Sequence, residues 1–290
     1  MTVAGDSDAR AAEALALLSP FERFAYRVAR FCNLRLKRLC TFYQQRLLGI
    51  PFSACVGRSV RPHGIEHVRA LPPDRPLLLV SNHRSFFDFF TLGTVLWKFG
   101  GVGRTLYFPV RANFFYDHPL GLLINALIGG WAMYPPIFRD RKKIGFNRWS
   151  IEETAALLSR PGSLVGIHPE GTRGKEPDPY QFLPAQPGVG RVAFLARPIV
   201  LPVFILGLGN SLWGTFLNNW TTRRPIFVVF GPPVDLSDLY LQGDRPAIHK
   251  RIADRLLDAI RELGRQERAL RAAAGAPLVP GESAQVRRTG

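Results

Sequence analysis

The chain has 290 residues, of which 47% are hydrophobic and 21% are charged, so it can bury a sizeable core and is not disordered over most of its length. Lysine and arginine number 38 against 22 acidic residues, a formal charge of +16 that predicts an anionic partner: phosphate groups, nucleic acid or an acidic membrane surface. The three cysteines are odd in number and lack the spacing of metal ligands, so we expect a reducing compartment, no disulfide framework and no zinc site.

Residues 1–50 are predicted to form a helical segment that associates with a membrane. The first ten residues contain two aspartates and no apolar run, unlike a secretory signal. Residues 21–48 lack proline and glycine, and helical spacing puts Phe21, Phe24, Val28, Phe31, Cys32 and Leu39 on one side and Arg23, Arg27, Arg30 and Lys37 on the other. Arg35 and Arg46 interrupt the apolar side, so a bend is expected. Such a helix lies on a membrane surface or packs on its own domain, and this segment alone fits both.

From residue 51 to 245 the sequence has the rhythm of an α/β domain. Short apolar runs predict buried strands at 76–81, 105–110, 163–167, 199–206 and 226–230. Helical patterns lie between them at 86–99, 114–127, 149–159 and 188–196. We therefore predict a mainly parallel central sheet flanked by helices. Residues 246–272 are predicted to form a C-terminal helix, and residues 273–290 a disordered tail.

Residues 119–138 are uncharged over the length of a membrane span. Gly129, Gly130, Pro135 and Pro136 crowd the second half of this segment, which favours a helix followed by a buried strand. A single crossing here would also put the two polar motifs described next on opposite faces of the bilayer. We therefore expect that the segment does not span.

The first polar motif, Ser81-Asn82-His83-Arg84-Ser85-Phe86-Phe87-Asp88, follows the first strong strand. Strand-to-helix junctions are where α/β domains place ligands. A loop histidine whose Nδ1–H bonds to an aspartate in the first helical turn keeps Nε2 free to act as a general base. The same spacing also fits a helix-capping aspartate and a histidine that only closes a turn.

The second polar motif, Gly166-Ile-His-Pro-Glu170-Gly171-Thr172-Arg173-Gly174-Lys175, also follows an apolar strand. Glycines let backbone N–H groups approach a phosphate, the threonine hydroxyl can donate, and the arginine fork suits bidentate phosphate contacts. Glu170 either holds Arg173 or accepts from a substrate hydroxyl. The residues alone fit equally well a polar turn with a surface salt bridge.

Together the two motifs resemble the glycerolipid acyltransferase family, which includes the 1-acylglycerol-3-phosphate acyltransferases. An apolar block with a central proline, residues 199–205, extends the resemblance over roughly residues 60–235. The resemblance implies that His83 is the general base and that Asp88 orients it. It also implies that the acceptor glycerol phosphate is bound by Asn82, Glu170, Gly171, Thr172 and Arg173.

The sequence departs from the family pattern at two places. The family usually has an arginine that contacts the acceptor phosphate after a glycine and an aromatic residue; here two prolines blur that register. Arg139 is preferred over Arg141 for this role because it directly follows the apolar run, although a solvated basic loop also fits. His168 stands where phenylalanine is usual, and this second imidazole either tunes acceptor choice or packs.

The function expected from this resemblance is transfer of an acyl group from acyl-CoA or acyl-carrier protein to a lysophospholipid hydroxyl, foremost 1-acylglycerol-3-phosphate to phosphatidate. No metal or cofactor is expected beyond the thioester co-substrate, and no Gly-x-Ser-x-Gly elbow indicates an acyl-enzyme. The expected partners are the acceptor, the donor and an anionic phospholipid membrane, with the chain peripheral or monotopic on its cytoplasmic face. The alternatives are another lysolipid or polar acceptor and a catalytically silent membrane-binding protein; nucleic acid is disfavoured because no recognition element appears.

Overall fold

The computed structural model describes residues 3–101 and 104–277, and these begin with a run of helices. The run comprises α1 (Val3–Ala16), α2 (Pro20–Arg35), α3 (Lys37–Phe42), a π-helical turn (Tyr43–Leu48) and α4 (Gly49–Val56). Helix α2 begins at a capping box, in which the Ser19 hydroxyl accepts from the Glu22 N–H (3.3 Å) and the Glu22 carboxylate accepts from the Ser19 N–H (2.8 Å). Helix α2 ends at Arg35 and α3 begins at Lys37 after a bend at Leu36, so the expected bend within residues 21–48 is confirmed. Helix α4 crosses the predicted segment boundary at residue 50.

The predicted basic face of the N-terminal helix is divided: Arg27 and Arg30 are exposed, whereas Arg23 is half-buried and Lys37 is buried, and contact of this face with a membrane stays a prediction. Lys37 is buried, and its ammonium group donates to the Leu106 carbonyl at 2.6 Å and to the Asn33 side chain at 3.0 Å. Arg30 donates to Glu153 at 3.0 Å. Arg30 of α2 thus reaches a carboxylate of α9 (Ile144–Leu158), and Lys37 of α3 reaches a backbone carbonyl of β3 (Thr105–Tyr107). Phe24 and Phe31 remain exposed.

The central sheet confirms the predicted α/β class. The main strands are β1 (Val60–His63), β2 (Leu77–Ser81), β3 (Thr105–Tyr107), β6 (Ser163–Ile167), β7 (Ile199–Leu206) and β8 (Ile226–Phe230); β4 (Val110–Arg111) and β5 (Pro136–Ile137) form a separate parallel pair. Within the described residues the six main strands are ordered β1-β8-β7-β2-β6-β3. Every pair in this sheet is parallel except β7 with β8.

Two apolar layers cover the sheet. The remaining helices are α5 (Glu66–Arg69), α6 (Asp88–Lys98), α7 (Ala112–Phe115), α8 (Pro119–Leu127), a 3-10 turn (Arg141–Lys143), α9 (Ile144–Leu158), α10 (Pro187–Ala196), α11 (Leu212–Trp220), α12 (Ser237–Tyr240) and α13 (Pro246–Ala273). Because side chains alternate along a strand, Leu78 and Val80 pack towards α9, α10 and α13, whereas Leu77 and Leu79 pack towards α4 and α6. Strand β2 is therefore buried on both faces, as expected of a central parallel strand.

Several predicted boundaries were wrong. The strand predicted at 105–110 ends at Tyr107, because Pro109 cannot donate to a ladder and Phe108 instead exchanges backbone hydrogen bonds with Ala132 and Tyr134. The helix predicted from residue 114 begins at Pro119, since Phe114 has a positive φ of 77°. Helix α9 begins at Ile144 rather than Trp149. Strand β1 and helix α11 were not predicted.

The uncharged segment 119–138 forms α8, a tight turn and β5, as the sequence predicted. Among the residues that the structure describes, no helix is both long enough and apolar enough to cross a membrane. The predicted C-terminal helix is confirmed as α13. The predicted tail lies outside the described residues from 278 onward.

Candidate active site

The two polar motifs meet because β2 and β6 are neighbouring parallel strands. The first motif follows β2 and the second follows β6, so both loops leave the same edge of the sheet. The loops are hydrogen bonded to each other: the Gly174 N–H donates to the His83 carbonyl at 2.9 Å. Residues that are far apart in sequence therefore form one site.

His83 and Asp88 form a hydrogen-bonded pair. His83 Nδ1 lies 3.0 Å from Asp88 Oδ2, and this oxygen also accepts the backbone N–H groups of Arg84 (2.7 Å) and Ser85 (2.8 Å). Asp88 is 1% exposed at the first residue of α6, whereas the His83 side chain is 24% exposed. A carboxylate that accepts at Nδ1 keeps the proton there, so Nε2 carries the lone pair. The pair can thus remove a proton from a group that approaches Nε2.

His168 stacks on His83. The two rings are parallel within 1° with centroids 4.1 Å apart, and the edge of Phe108 packs against His168. The Nδ1 atom of His168 lies 3.0 Å from both the hydroxyl and the carbonyl oxygen of Ser81, so it donates to the carbonyl. Burial, and then the neighbouring His83, hold the pKa of His168 well below its usual range. His168 is therefore a neutral ring that fixes the plane of His83.

The same three side chains have the spacing of metal ligands. Ligand atoms of His83, Asp88 and His168 lie within 4.8 Å of one another. Asp88 Oδ2 already accepts three hydrogen bonds, and Nδ1 of each histidine has its own partner. Asp88 Oδ2 and both Nδ1 atoms are thus engaged with protein groups, whereas His168 Nε2 is buried without a hydrogen-bond partner among the described residues; the expectation of a reaction without metal stays a prediction.

Glu170 ties the two motifs together. Its carboxylate is 2% exposed and accepts the His83 N–H through Oε1 at 3.2 Å and the Leu183 N–H through Oε2 at 2.9 Å. Burial raises the pKa of Glu170. These contacts give Glu170 a positioning role for the His83 backbone. Direct contact between Glu170 and an acceptor stays a prediction.

Asn82 also has a positioning role. Its amide nitrogen donates to the Ile205 carbonyl and its amide oxygen accepts the Ile205 N–H, both at 2.8 Å. The side chain is buried between β2 and β7. Both polar atoms are thus used to hold the loop on β7, and the predicted contact with substrate stays untested.

Gly171, Thr172 and Arg173 form the turn beside His83. Gly171 has a φ of 63°, which favours glycine, and its N–H donates to the His168 carbonyl at 2.9 Å. The Arg173 guanidinium lies 3.9 Å from the centre of the Phe86 ring and donates to the Asn210 side chain at 2.8 Å. Thr172 is half-buried between them. This arrangement holds a cation on the loop next to the His83–Asp88 pair, and its predicted contact with a phosphate stays a prediction.

A second arginine, which sequence reasoning missed, reaches this turn. Arg111 donates to the Gly171 carbonyl through Nε at 3.1 Å and through Nη2 at 2.8 Å. It pairs across the small sheet with Ile137, two residues before Arg139. The Arg139 side chain is exposed there, and its predicted phosphate contact stays a prediction. The signal for Arg111 was its position directly after the apolar run 105–110.

The chain is similar in sequence to known acyltransferases. A family model described as Acyltransferase matches residues 59–206, from β1 to the end of β7. The 1-acyl-sn-glycerol-3-phosphate acyltransferase alpha of Mus musculus is 25% identical over 231 residues, 80% of this chain and 71% of the relative. The same enzyme from Bos taurus is 26% identical over 231 residues, 80% and 70% of the two chains. Among solved structures, the 1-acyl-sn-glycerophosphate (LPA) acyltransferase PlsC from Thermotoga maritima matches with a TM-score of 0.45 and 17% identity, over 89% of this chain and 98% of that chain.

Proposed function

The chain belongs to the acyltransferase family, and from this premise we propose that it moves a fatty acyl group from acyl-CoA or acyl-carrier protein to the free hydroxyl of 1-acylglycerol-3-phosphate. The product would be phosphatidate, which places the reaction in phospholipid biosynthesis. The observation that carries the proposal is the His83–Asp88 pair beside two arginines. A base next to a phosphate-binding group suits an acceptor that has both a hydroxyl and a phosphate.

The proton transfers follow from the geometry of the pair. Nε2 of His83 removes the proton of the acceptor hydroxyl, and the oxygen attacks the thioester carbonyl to form a tetrahedral intermediate. The intermediate collapses with cleavage of the carbon–sulfur bond, and the imidazolium returns the proton to the leaving thiolate. Asp88 keeps the Nδ1 proton in place and stabilises the imidazolium.

The neighbouring serine does not supply a competing nucleophile. The Ser85 hydroxyl is buried, donates to the Gly209 carbonyl at 2.7 Å and accepts the Phe87 N–H at 3.1 Å. A hydroxyl held in this way is turned away from His83, whose Nδ1 already faces Asp88. Direct attack by the acceptor therefore fits the site better than an acyl-enzyme.

A narrow apolar cavity beside α6 supports an acyl substrate. The cavity is lined by residues of α6, of the N-terminal helices and of the turn after α8. They include Leu48, Phe52, Phe89, Phe90, Trp97 and Ile128. From this lining, Phe89 contacts Phe108, and Phe108 contacts His168 in the site. These ring contacts connect the cavity wall to the two histidines, and we propose that the cavity receives the acyl chain.

We also propose that the chain works on the cytoplasmic face of an anionic phospholipid membrane. Its acceptor and product are lipids, and the formal charge of +16 favours an anionic surface. The exposed phenylalanines of α2 supply apolar contacts for peripheral attachment.

The function is tested by mass spectrometry of the products that purified protein forms from a panel of lysolipids with acyl-CoA and acyl-carrier protein donors. We expect phosphatidate from 1-acylglycerol-3-phosphate, and no product with the His83→Ala variant. Equal product from wild type and variant, or none from any acceptor, would contradict the proposal. Preference for another lysolipid would retain the reaction and change the acceptor.

A further inference from the structure

Helix α11 is amphipathic, but its polar face is buried against the protein and its apolar face is exposed, the opposite of a helix that packs on a core. Its buried residues are polar, namely Thr215 and Asn219, which lie one turn apart and face the protein. Its exposed residues are apolar, and include Trp213, which is 67% exposed, with Leu212, Leu217 and Trp220. A surface helix normally buries its apolar stripe and shows its polar face to water. An apolar face turned outwards marks a surface that contacts an apolar partner.

The orientation of α11 is fixed by hydrogen bonds to the end of α4. The Asn219 amide donates to the Ala54 carbonyl at 2.6 Å and accepts the backbone N–H groups of Arg58 (2.7 Å) and Ser59 (3.0 Å). The Trp220 indole N–H donates to the same Ala54 carbonyl at 2.9 Å. Asn219 is fully buried, so rotating the helix to hide its tryptophans would leave several polar groups without partners.

The outward face of α11 begins at the mouth of the active site. Ser211 caps the helix, and the preceding residue, Asn210, accepts hydrogen bonds from Arg173 (2.8 Å) and from the Phe86 N–H (3.2 Å). Phe86 is itself exposed beside Arg173. A surface that α11 contacts would therefore lie next to the group proposed to bind the acceptor phosphate.

The charges around α11 suit an anionic lipid surface. The helix has no charged residue, and the sequence has no aspartate or glutamate between residues 179 and 234. Exposed arginines follow the helix at 223 and 224, and the Arg58 guanidinium lies 4.7 Å from the centre of the Trp220 ring. Tryptophan side chains with arginines at their edge are typical of the boundary between acyl chains and anionic headgroups.

From these observations we infer that α11 inserts its Trp213 and Leu217 face into an anionic leaflet and sets the mouth of the active site against the lipid surface. The inference rests on the proposed function for its purpose, because a site at the leaflet surface receives a lysophospholipid without drawing it through water. The insertion itself is a binding property that can be measured without turnover.

The test compares a face variant, Trp213→Ser with Leu217→Ser, with wild type on vesicles of equal parts phosphatidylcholine and phosphatidylglycerol. We expect the partition coefficient to fall at least tenfold, since two apolar side chains no longer leave water. The initial rate on detergent-dispersed 1-acylglycerol-3-phosphate should stay within twofold. Leu241→Ser is the matched control, because Leu241 is 88% exposed outside α11 and should leave vesicle binding unchanged.

A second measurement does not depend on the folding of the face variant. Brominated phosphatidylcholine quenches tryptophans that enter the acyl region, and we expect Trp213→Phe to lose part of the quenched emission while keeping vesicle affinity. Unchanged vesicle binding by the face variant, as expected if α11 docks a protein, would overturn the inference, and so would an equal quenched emission in Trp213→Phe. Absence of turnover in wild type would count against the proposed function. The vesicle-binding and quenching results would still decide whether α11 inserts.

Discussion

At the scale of single residues, Asp88 does more than orient His83. Its Oδ2 atom accepts hydrogen bonds from the His83 ring N–H and from the backbone N–H groups of Arg84 and Ser85. The carboxylate therefore shapes the loop and fixes the tautomer at once. It lies at the first residue of α6, where the helix dipole favours a negative charge. Because Asp88 engages Nδ1 of His83, Nε2 is left for the role proposed above.

The first prediction concerns this pair. His83→Ala should lower turnover by about two to four decades, the usual contribution of general-base catalysis. Asp88→Asn should be nearly as harmful, because an amide favours the wrong tautomer and weakens the loop contacts. Steady-state kinetics measure the loss, with circular dichroism and vesicle binding as controls for the fold. An alanine variant at His83 that keeps more than a tenth of normal turnover would contradict the mechanism.

The second prediction concerns acceptor binding. Arg173→Lys keeps the charge but loses the planar fork and the stacking on Phe86, so the KM of the acceptor should rise more than that of the donor. Arg111→Lys is the matched variant, because its guanidinium reaches the same turn through the Gly171 carbonyl. Equal effects of Arg173→Lys on the two substrates would instead assign the residue a structural role.

The residues of the site were predictable to the extent that their chemistry is local. A histidine and an aspartate five positions apart at a strand end can meet within one loop, and they do so at 3.0 Å. The partners of Asn82 and Glu170 could not be predicted, since Ile205 and Leu183 come from other parts of the chain. Arg111 was missed because only the pairing of β4 with β5 brings it to the turn.

At the scale of elements, α6 connects the His83–Asp88 pair to the apolar cavity. Asp88 is its first residue, and Phe89, Phe90, Gly93 and Trp97 line the cavity along one of its faces. Phe90 also stacks on Phe52 of α4, with ring centroids 4.5 Å apart. The helix that holds the imidazole in place therefore also forms a wall of the proposed acyl site.

The third prediction uses Gly93 to fill this cavity. A Cβ at Gly93 would lie 3.5 Å from Trp97 and 3.8 Å from Leu106, which is ordinary contact, so Gly93→Ala should fold and serves as the control. Gly93→Val should exclude the far end of a long chain. Losing about two buried methylenes, at ~0.8 kcal/mol each, should lower the ratio of kcat/KM for hexadecanoyl over octanoyl donors roughly tenfold. An unchanged ratio in the valine variant would place the acyl chain elsewhere.

The fourth prediction concerns the docking of α3 on β3 through Lys37. Burial lowers the pKa of Lys37 to about 7, from an ordinary value of 10.5. Between these values the unfolded chain binds one more proton than the folded chain. The free energy of unfolding should therefore rise with pH from 7 towards 10.5, by up to about 1 kcal/mol per pH unit from this group. Below pH 7 both states are protonated and the full cost of burying the charge is present.

Lys37→Met should remove this dependence, and urea unfolding at pH 7.5 and 8.5 measures it. Arg38→Met, at an exposed neighbouring position, is the control and should keep the pH dependence of wild type. The same pH difference in Lys37→Met as in wild type would show that the lysine does not titrate in this window.

Elements were predictable where one periodicity dominates. The buried strands β2, β6, β7 and β8 are continuous apolar runs, and the structure places them within a residue of the predicted bounds. Helix α11 was missed because its pattern is reversed: its apolar positions are exposed and its buried positions are threonine and asparagine. Strand β1 was missed because it is a short edge strand containing Pro62.

At the scale of the whole molecule, exposed apolar side chains lie on helices that contact one another. Phe31, Phe42 and Ile50 are exposed on the run from α2 to α4, and α4 packs against α11, which exposes Trp213. Composition alone predicts that the partner is negatively charged, since the chain carries a formal charge of +16. It could not predict which charges are free to meet a surface, because Lys37 is buried and Arg30, although exposed, is paired with Glu153.

The fifth prediction tests the N-terminal helices as an electrostatic anchor. The variant reverses the arginines that are exposed on this run, replacing Arg27, Arg35, Arg38 and Arg46 with glutamate. At roughly 1 kcal/mol per basic residue near an anionic surface, the loss should weaken binding to phosphatidylglycerol vesicles at least a hundredfold in low salt. Raising the salt concentration should weaken the vesicle binding of wild type only down to a constant level. Salt does not remove this remaining affinity, because it comes from burial of phenylalanines, which salt does not screen.

The matched control has the same formal charge but places the four reversals on α13 and at its cap, at Arg245, Arg251, Arg265 and Arg268, all of which are exposed. Flotation with vesicles across a salt series separates the two variants, and activity on detergent-dispersed acceptor reports that each has folded. If the anchor is local, only the N-terminal variant leaves the vesicles. Equal loss in both variants would mean that net charge alone attracts the chain, and unchanged binding in the N-terminal variant would remove the anchor from these helices.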